Sequence, residues 1–126
     1  MAKKVLLVDD DFDFLEATKK MVEAGGYSAD TAENAEVGLE KAKKGNPDLI
    51  VLDVMMPGMD GWEACEILKN SPETRDIPII MLTAVASNVR QTSYSHQSGK
   101  QTEADDYIPK PVEIPDLIAR INRLLK

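Results

Sequence analysis

Asp9-Asp10, Asp53, Thr83 and Lys110 are the residues of this chain whose types and spacing suit chemistry. Each follows a short apolar run. Lys4 to Val8 precedes the first acids, Leu49 to Leu52 precedes Asp53, Ile77 to Leu82 precedes Thr83, and Asp105 to Ile108 leads into Pro109-Lys110-Pro111. If these runs are parallel strands of one sheet, their carboxyl ends share one edge, where open α/β sheets hold their ligands. Three carboxylates gathered there repel one another and need a counter-charge. Two present themselves. Lys110 is a mobile point charge that can pair with an acid or a phosphoryl oxygen. A hard divalent cation such as Mg²⁺ prefers carboxylate oxygens, keeps several waters and often shares a phosphate. With such a cation, Asp53 is suited to attack phosphorus and form an aspartyl phosphate. Thr83 can donate a hydrogen bond to a phosphoryl oxygen, and Lys110 can neutralise another. An ionised carboxylate needs no general base. Each residue also has a structural alternative: acids after strands cap helices, threonines end strands, and lysines are solvated. Their joint placement favours the chemistry.

The elements that must position these residues are legible as an alternation. Phe14, Leu15, Ala17, Thr18, Met21 and Val22 recur at helical spacing, so Phe12 to Ala24 is expected as an amphipathic helix ended by Gly25-Gly26. Tyr27 to Ala32 reads as a short second strand, less apolar and so at or near an edge. Asn34 is a good N-cap for a helix from Ala35 to Lys44, with Leu39 and Ala42 facing in, stopped by Gly45-Asn46-Pro47. A third helix follows Gly61, with Trp62, Cys65 and Leu68 as its inner face. Ile114, Leu117, Ile118, Ile121, Leu124 and Leu125 form the clearest helical stripe in the chain. A βα unit repeated five times predicts a parallel sheet covered on both faces. Right-handed crossovers make a doubly wound α/β sheet the default.

Composition narrows the function classes. The 126 residues suit one domain with a real core, and 43% apolar with 29% charged residues is an ordinary globular balance. Fifteen basic against 22 acidic residues leave a net charge of −7, so direct nucleic-acid binding is not expected. Cys65 is the single cysteine and cannot close an internal disulfide, which points to a reducing cytoplasm. Residues 1–8 are too short an apolar segment for a signal peptide, and no run approaches a membrane span.

Four stretches together resemble the receiver domain of two-component response regulators: Val8-Asp9-Asp10-Asp11, Leu52-Asp53-Val54-Met55-Met56-Pro57-Gly58-Met59-Asp60-Gly61, Met81-Leu82-Thr83-Ala84, and Asp105-Asp106-Tyr107-Ile108-Pro109-Lys110-Pro111. They occur in the family's order over almost the whole chain. The resemblance implies a flavodoxin-like sheet of order 2-1-3-4-5 and a signalling phosphoacceptor rather than an enzyme. Asp53 would take a phosphoryl group from a sensor histidine kinase or phosphotransfer protein and hydrolyse it slowly. Asp10, Asp53 and the backbone carbonyl of Met55 would hold Mg²⁺ or Mn²⁺ directly, with Asp9 acting through water. Thr83 is similar to the switch hydroxyl and Tyr107 to the switch aromatic. Lys110 is similar to the family's site lysine, Lys110-Pro111 is expected to be cis, and Ala84 would leave the phosphoryl group accessible. Residues 1–126 then read as one receiver domain with no output domain after it. It would signal to a downstream partner the sequence does not name, without a membrane. A phosphorylation-dependent dimer is compatible with the family.

Other residues have plainer readings. Asp11 and Asp13 read as helix N-terminal acids, Asp60 as a turn or cap acid, His96 as solvated and Cys65 as core; Tyr107 has the alternative of a strand aromatic packed on the sheet. Residues 87–103 depart from the family pattern. Val89 and Tyr94 are their only clearly apolar residues, the interval from Thr83 to Lys110 is long, and Glu103-Ala104 replaces a customary Gly-Ala pair. A short helix and a polar loop centred on Ser98-Gly99-Lys100 are expected there, either ordered or moved by phosphorylation or a passive surface insertion. Two other classes fit less well. A haloacid-dehalogenase-like phosphatase needs a second acid where Met55 stands. A flavodoxin-like electron carrier needs a Ser/Thr/Gly-rich loop where Asp9-Asp10-Asp11 stands.

Overall fold

A computed structural model describes residues 3–83 and 104–125. The strands are β1 (Lys4–Val8), β2 (Ser28–Ala32), β3 (Leu49–Asp53), β4 (Ile79–Thr83) and β5 (Asp106–Pro109). The helices are α1 (Phe12–Ala24), α2 (Ala35–Gly45), α3 (Gly61–Lys69) and α4 (Ile114–Leu125). All neighbouring strands are parallel, in the order β2-β1-β3-β4-β5, so the expected doubly wound sheet is present. The expectations for residues 87–103, for Ala84 and for His96 lie outside the described residues.

The central strands explain the arrangement. Every residue of β3 and β4 is buried, as befits strands covered on both faces. Leu6, Val8, Ile50, Leu52, Ile79 and Met81 point to one face, where they meet Ala35 and Ala42 of α2 and Ala64, Cys65 and Leu68 of α3. Val5, Leu7, Leu49, Val51, Ile80 and Leu82 point to the other, against Leu15 and Val22 of α1 and Leu117 and Ile121 of α4. Each such fully buried Leu or Ile contributes about 1.5–3 kcal/mol relative to exposure. β2 is an edge strand with only Ala32 buried.

Local chemistry sets the boundaries. Asp11, Asn34 and Asp60 cap α1, α2 and α3, each accepting a hydrogen bond from an amide three residues on. The cap readings of Asp11 and Asp60 therefore hold. Asn46 closes α2 in the left-handed conformation (φ 50°) before Pro47. Three strand limits shift from expectation. The Tyr27 amide is taken by the Val22 carbonyl at the end of α1, so β2 begins at Ser28. The Ile77 amide is taken by Thr74 in a turn, and Pro78 has no amide to give, so β4 begins at Ile79 and runs to Thr83. Asp105 joins β4 through its backbone amide and its carboxylate, both on Ile79, ahead of the regular ladder of β5. Ala17 and Met21, counted in the first helical stripe, lie on its exposed side; Leu15, Thr18 and Val22 are the buried line.

Candidate functional site

The site is built from strand ends on one edge of the sheet. Asp53 closes β3 and Thr83 closes β4, while Asp9 and Asp10 follow β1 and Lys110 follows β5. The register places Asp53 beside Leu82 and Thr83 beside Pro109, so three adjacent strands deliver Asp53, Thr83 and Lys110 side by side. The Lys110 amide donates to the Thr83 carbonyl at 2.7 Å, which fixes the chain at the point where it leaves β5. The Lys110-Pro111 peptide is cis, as expected.

Asp53 is fully buried. Its Oδ1 accepts the Lys110 ammonium at 2.9 Å and lies 3.4 Å from the Met55 amide. Its Oδ2 is buried and accepts no hydrogen bond among the described residues. Asp9 is also buried; its Oδ1 accepts the Asp11 amide at 2.9 Å, and its Oδ2 lies 3.7 Å from the Lys110 ammonium. Asp10 is exposed. Carboxylate oxygens of Asp9, Asp10 and Asp53 all lie within 4.8 Å of one another.

The electrostatics follow from burial and from this crowding. Burial pushes the Asp9 carboxyl up to about 6, with the Asp53 charge adding to the effect and the Asp11 amide opposing it. Burial raises the Asp53 carboxyl as well, against the hydrogen bond and charge of Lys110. Burial alone would lower the Lys110 ammonium, but its bond to Asp53 and the charges of Asp9, Asp53 and Asp10 outweigh it and hold Lys110 above its ordinary value. One lysine faces three carboxylates. The remaining negative charge and the unbonded Oδ2 atoms of Asp9 and Asp53 fit a hard divalent cation, which takes oxygen ligands and tolerates shared water.

The structure thus brings together Asp9, Asp10, Asp53 and Lys110, and places Thr83 at the neighbouring strand end. Met55 exposes its side chain to solvent while its amide turns to Asp53. Tyr107 is set apart from this carboxylate cluster. It lies half-buried on β5, on the sheet face shared with α2 and α3, its ring 6.1 Å from that of Trp62. Sequence reasoning does not supply the amides of Asp11 and Met55 that orient the two buried carboxylates. Their signal is the short Asp-x-x pattern after each strand, which favours a side chain turning back to an amide two residues on.

Comparison with known proteins gives a consistent result. Residues 5–122 match the family described as "Response regulator receiver domain". The chain is 38% identical over 123 residues to the response regulator MprA of Mycobacterium leprae, covering 98% of this chain and 51% of that protein. It is 36% identical over 126 residues to MprA of Mycolicibacterium vanbaalenii, covering 100% and 52%. The chain therefore spans about half the length of the curated relatives it matches. Among solved structures, it is similar to a CheY-like receiver domain protein from Methanospirillum hungatei (TM-score 0.82, 33% identity, 98% of this chain and 93% of that one). It is also similar to the chemotaxis protein CheY4 of Vibrio cholerae (TM-score 0.85, 30% identity, 99% and 100%).

Proposed function

Because the chain belongs to the response regulator receiver-domain family, we propose that Asp53 is the carboxylate on which this two-component phosphoacceptor receives its phosphoryl group. The observation that carries this is the state of Asp53: fully buried at the end of a central strand, one oxygen on Lys110 at 2.9 Å, the other without a hydrogen bond among the described residues. A lone pair of an Asp53 oxygen forms the new bond to phosphorus as the phosphorus–nitrogen bond of a phosphohistidine breaks. The electron pair of that bond returns to the imidazole of a sensor histidine kinase or phosphotransfer protein. Lys110 neutralises one phosphoryl oxygen, and the Thr83 hydroxyl donates to another. Asp10, Asp53 and the Met55 carbonyl, with Asp9 through water, would hold a Mg²⁺ or Mn²⁺ ion, which would supply further charge neutralisation when bound.

Receiver domains are signalling phosphoacceptors, so the product is a changed surface, reached by a shift in population. Thr83 and Tyr107 are the proposed switch pair. The backbone bond from Lys110 to the Thr83 carbonyl supports this, since it ties the strand end that carries the hydroxyl to the residue that holds the phosphoryl group. Tyr107 lies in register with Met81, two residues before Thr83. Residues 1–126 act here as one receiver domain, with a downstream protein as its reader. The cytoplasm is the proposed place of action: among the described residues no helix is long and apolar enough to cross a membrane, and the single cysteine is a free thiol.

The test is intact mass after incubation with acetyl phosphate and Mg²⁺. A single phosphoryl adduct is expected, absent in Asp53→Asn and absent with EDTA. No adduct with any phosphodonor, or an adduct that survives Asp53→Asn at the wild-type rate, overturns the assignment.

A further inference from the structure

Gly61 opens α3 without the positive φ that marks Gly26 and Gly58, so its backbone angles do not call for glycine. Its surroundings do. A methyl group on its Cα would lie 2.3 Å from the carbonyl oxygen of Asp53, 2.7 Å from the Cα of Val54 and 2.9 Å from the carbonyl carbon of Asp53. All three are backbone atoms, so no rotamer change relieves the contact. The approach is held closed, because the Gly61 amide donates to the Val54 carbonyl at 2.9 Å. The strand end has little freedom to retreat. The Val54 amide is bound to the Leu82 carbonyl at 3.0 Å, and Asp53 is in register with Leu82.

We infer that Gly61 is a positioning residue for phosphoryl acceptance. By carrying no side chain, it lets the first turn of α3 seat on the Asp53–Val54 peptide. That seating sets where the Asp53 carboxylate stands relative to Lys110. The inference rests on Asp53 being the acceptor. A side chain at 61 must open the 2.3 Å contact toward the 3.4 Å of ordinary packing. That displaces backbone by about 1 Å, and a misplacement of that size at a reacting centre costs on the order of 100-fold in rate.

Gly38 is the matched control. A methyl there would lie 2.9 and 3.0 Å from the two Cγ atoms of Val8, side-chain atoms of a residue outside the carboxylate cluster. Gly61→Ala and Gly38→Ala are made in a Thr18→Val parent, which removes a buried hydroxyl without a hydrogen-bond partner among the described residues and is expected to add stability to all three proteins. Two quantities are read at 10 °C, where circular dichroism reports the folded fraction. One is the rate of phosphoryl adduct formation from acetyl phosphate and Mg²⁺; the other is the ¹H–¹⁵N resonances of Val54 and Met55 in EDTA. Folded Gly61→Ala is expected to react at least tenfold more slowly, with both amides displaced, while Gly38→Ala keeps the parent's rate. A Gly61→Ala protein reacting within twofold of the parent overturns the inference. So does a rate reduced only in proportion to its unfolded fraction. An unfolded Gly61→Ala beside a folded Gly38→Ala assigns the residue to folding alone, and overturns it too. Absence of an adduct in the parent overturns the acceptor assignment and this inference with it; an adduct in the parent at a rate unchanged in Gly61→Ala overturns the inference alone.

Discussion

Asp9 shows most directly what burial does to a carboxylate of this site. Its carboxyl, ordinarily near 3.8, is pushed to about 6 by burial. The folded chain therefore binds a proton at Asp9 more tightly than the unfolded chain does. Between about pH 4 and pH 6 the native state carries the excess proton, so the stability contributed here falls as pH rises through that window. Asp9→Asn removes the titration. In EDTA at pH 7 the variant is expected to be more stable by about 3 kcal/mol, and the gap should close near pH 4. Urea denaturation at the two pH values checks this; equal stability at pH 7 contradicts it. At this scale the sequence was informative because acids, hydroxyl and lysine all follow strands, and parallel strands share an edge. The amides of Asp11 and Met55 were legible only as a tendency of Asp to turn back to an amide two residues on, since an amide's direction also depends on loop dihedrals that residue types leave open. The contact of Gly61 with the Asp53 carbonyl was hidden for a similar reason: a glycine after an Asp cap reads first as the start of a helix.

Elements were legible where one face is apolar and the ends carry caps. α1 has the limits its stripe and its Gly-Gly terminus imply, and α2 and α3 begin after the caps Asn34 and Asp60. Strand limits were less legible, because an apolar residue such as Ile77 can be buried while its amide serves a turn. α1 also carries a defect that its periodicity conceals. Thr18 lies on the buried line between Leu15 and Val22, and its hydroxyl has no hydrogen-bond partner among the described residues. Valine has nearly the same shape without the polar atom. Thr18→Val is expected to gain about 1 kcal/mol of stability by urea denaturation. A loss would show that the hydroxyl is served in solution.

The molecule as a whole carries a net charge of −7 and gathers several of its acids at one end of the sheet, beside a single lysine among the described residues. A ligand that binds the native state alone stabilises it by mass action, by about 2.7 kcal/mol at one hundred times its dissociation constant. Adding Mg²⁺ should therefore raise the melting temperature, and EDTA should reverse the rise. Asp53→Asn should abolish most of it, because the variant lacks one of the three gathered carboxylates. An unchanged melting temperature in excess Mg²⁺ would speak against a cation at these residues. The doubly wound order was legible at this scale from alternation and crossover handedness.

The ladder joining β3, β4 and β5 has a consequence for how such a domain diversifies. Asp53, Thr83 and Lys110 occupy three neighbouring teeth of a comb whose pitch is the inter-strand spacing of any sheet, about 4.8 Å. Backbone hydrogen bonds set that pitch, and side chains on the helices do not enter it. The outer surfaces of α1 to α4 can thus be rewritten while the spacing of these three residues stays the same. Recognition and chemistry are separable properties here because one is written in side chains and the other in the spacing of the backbone.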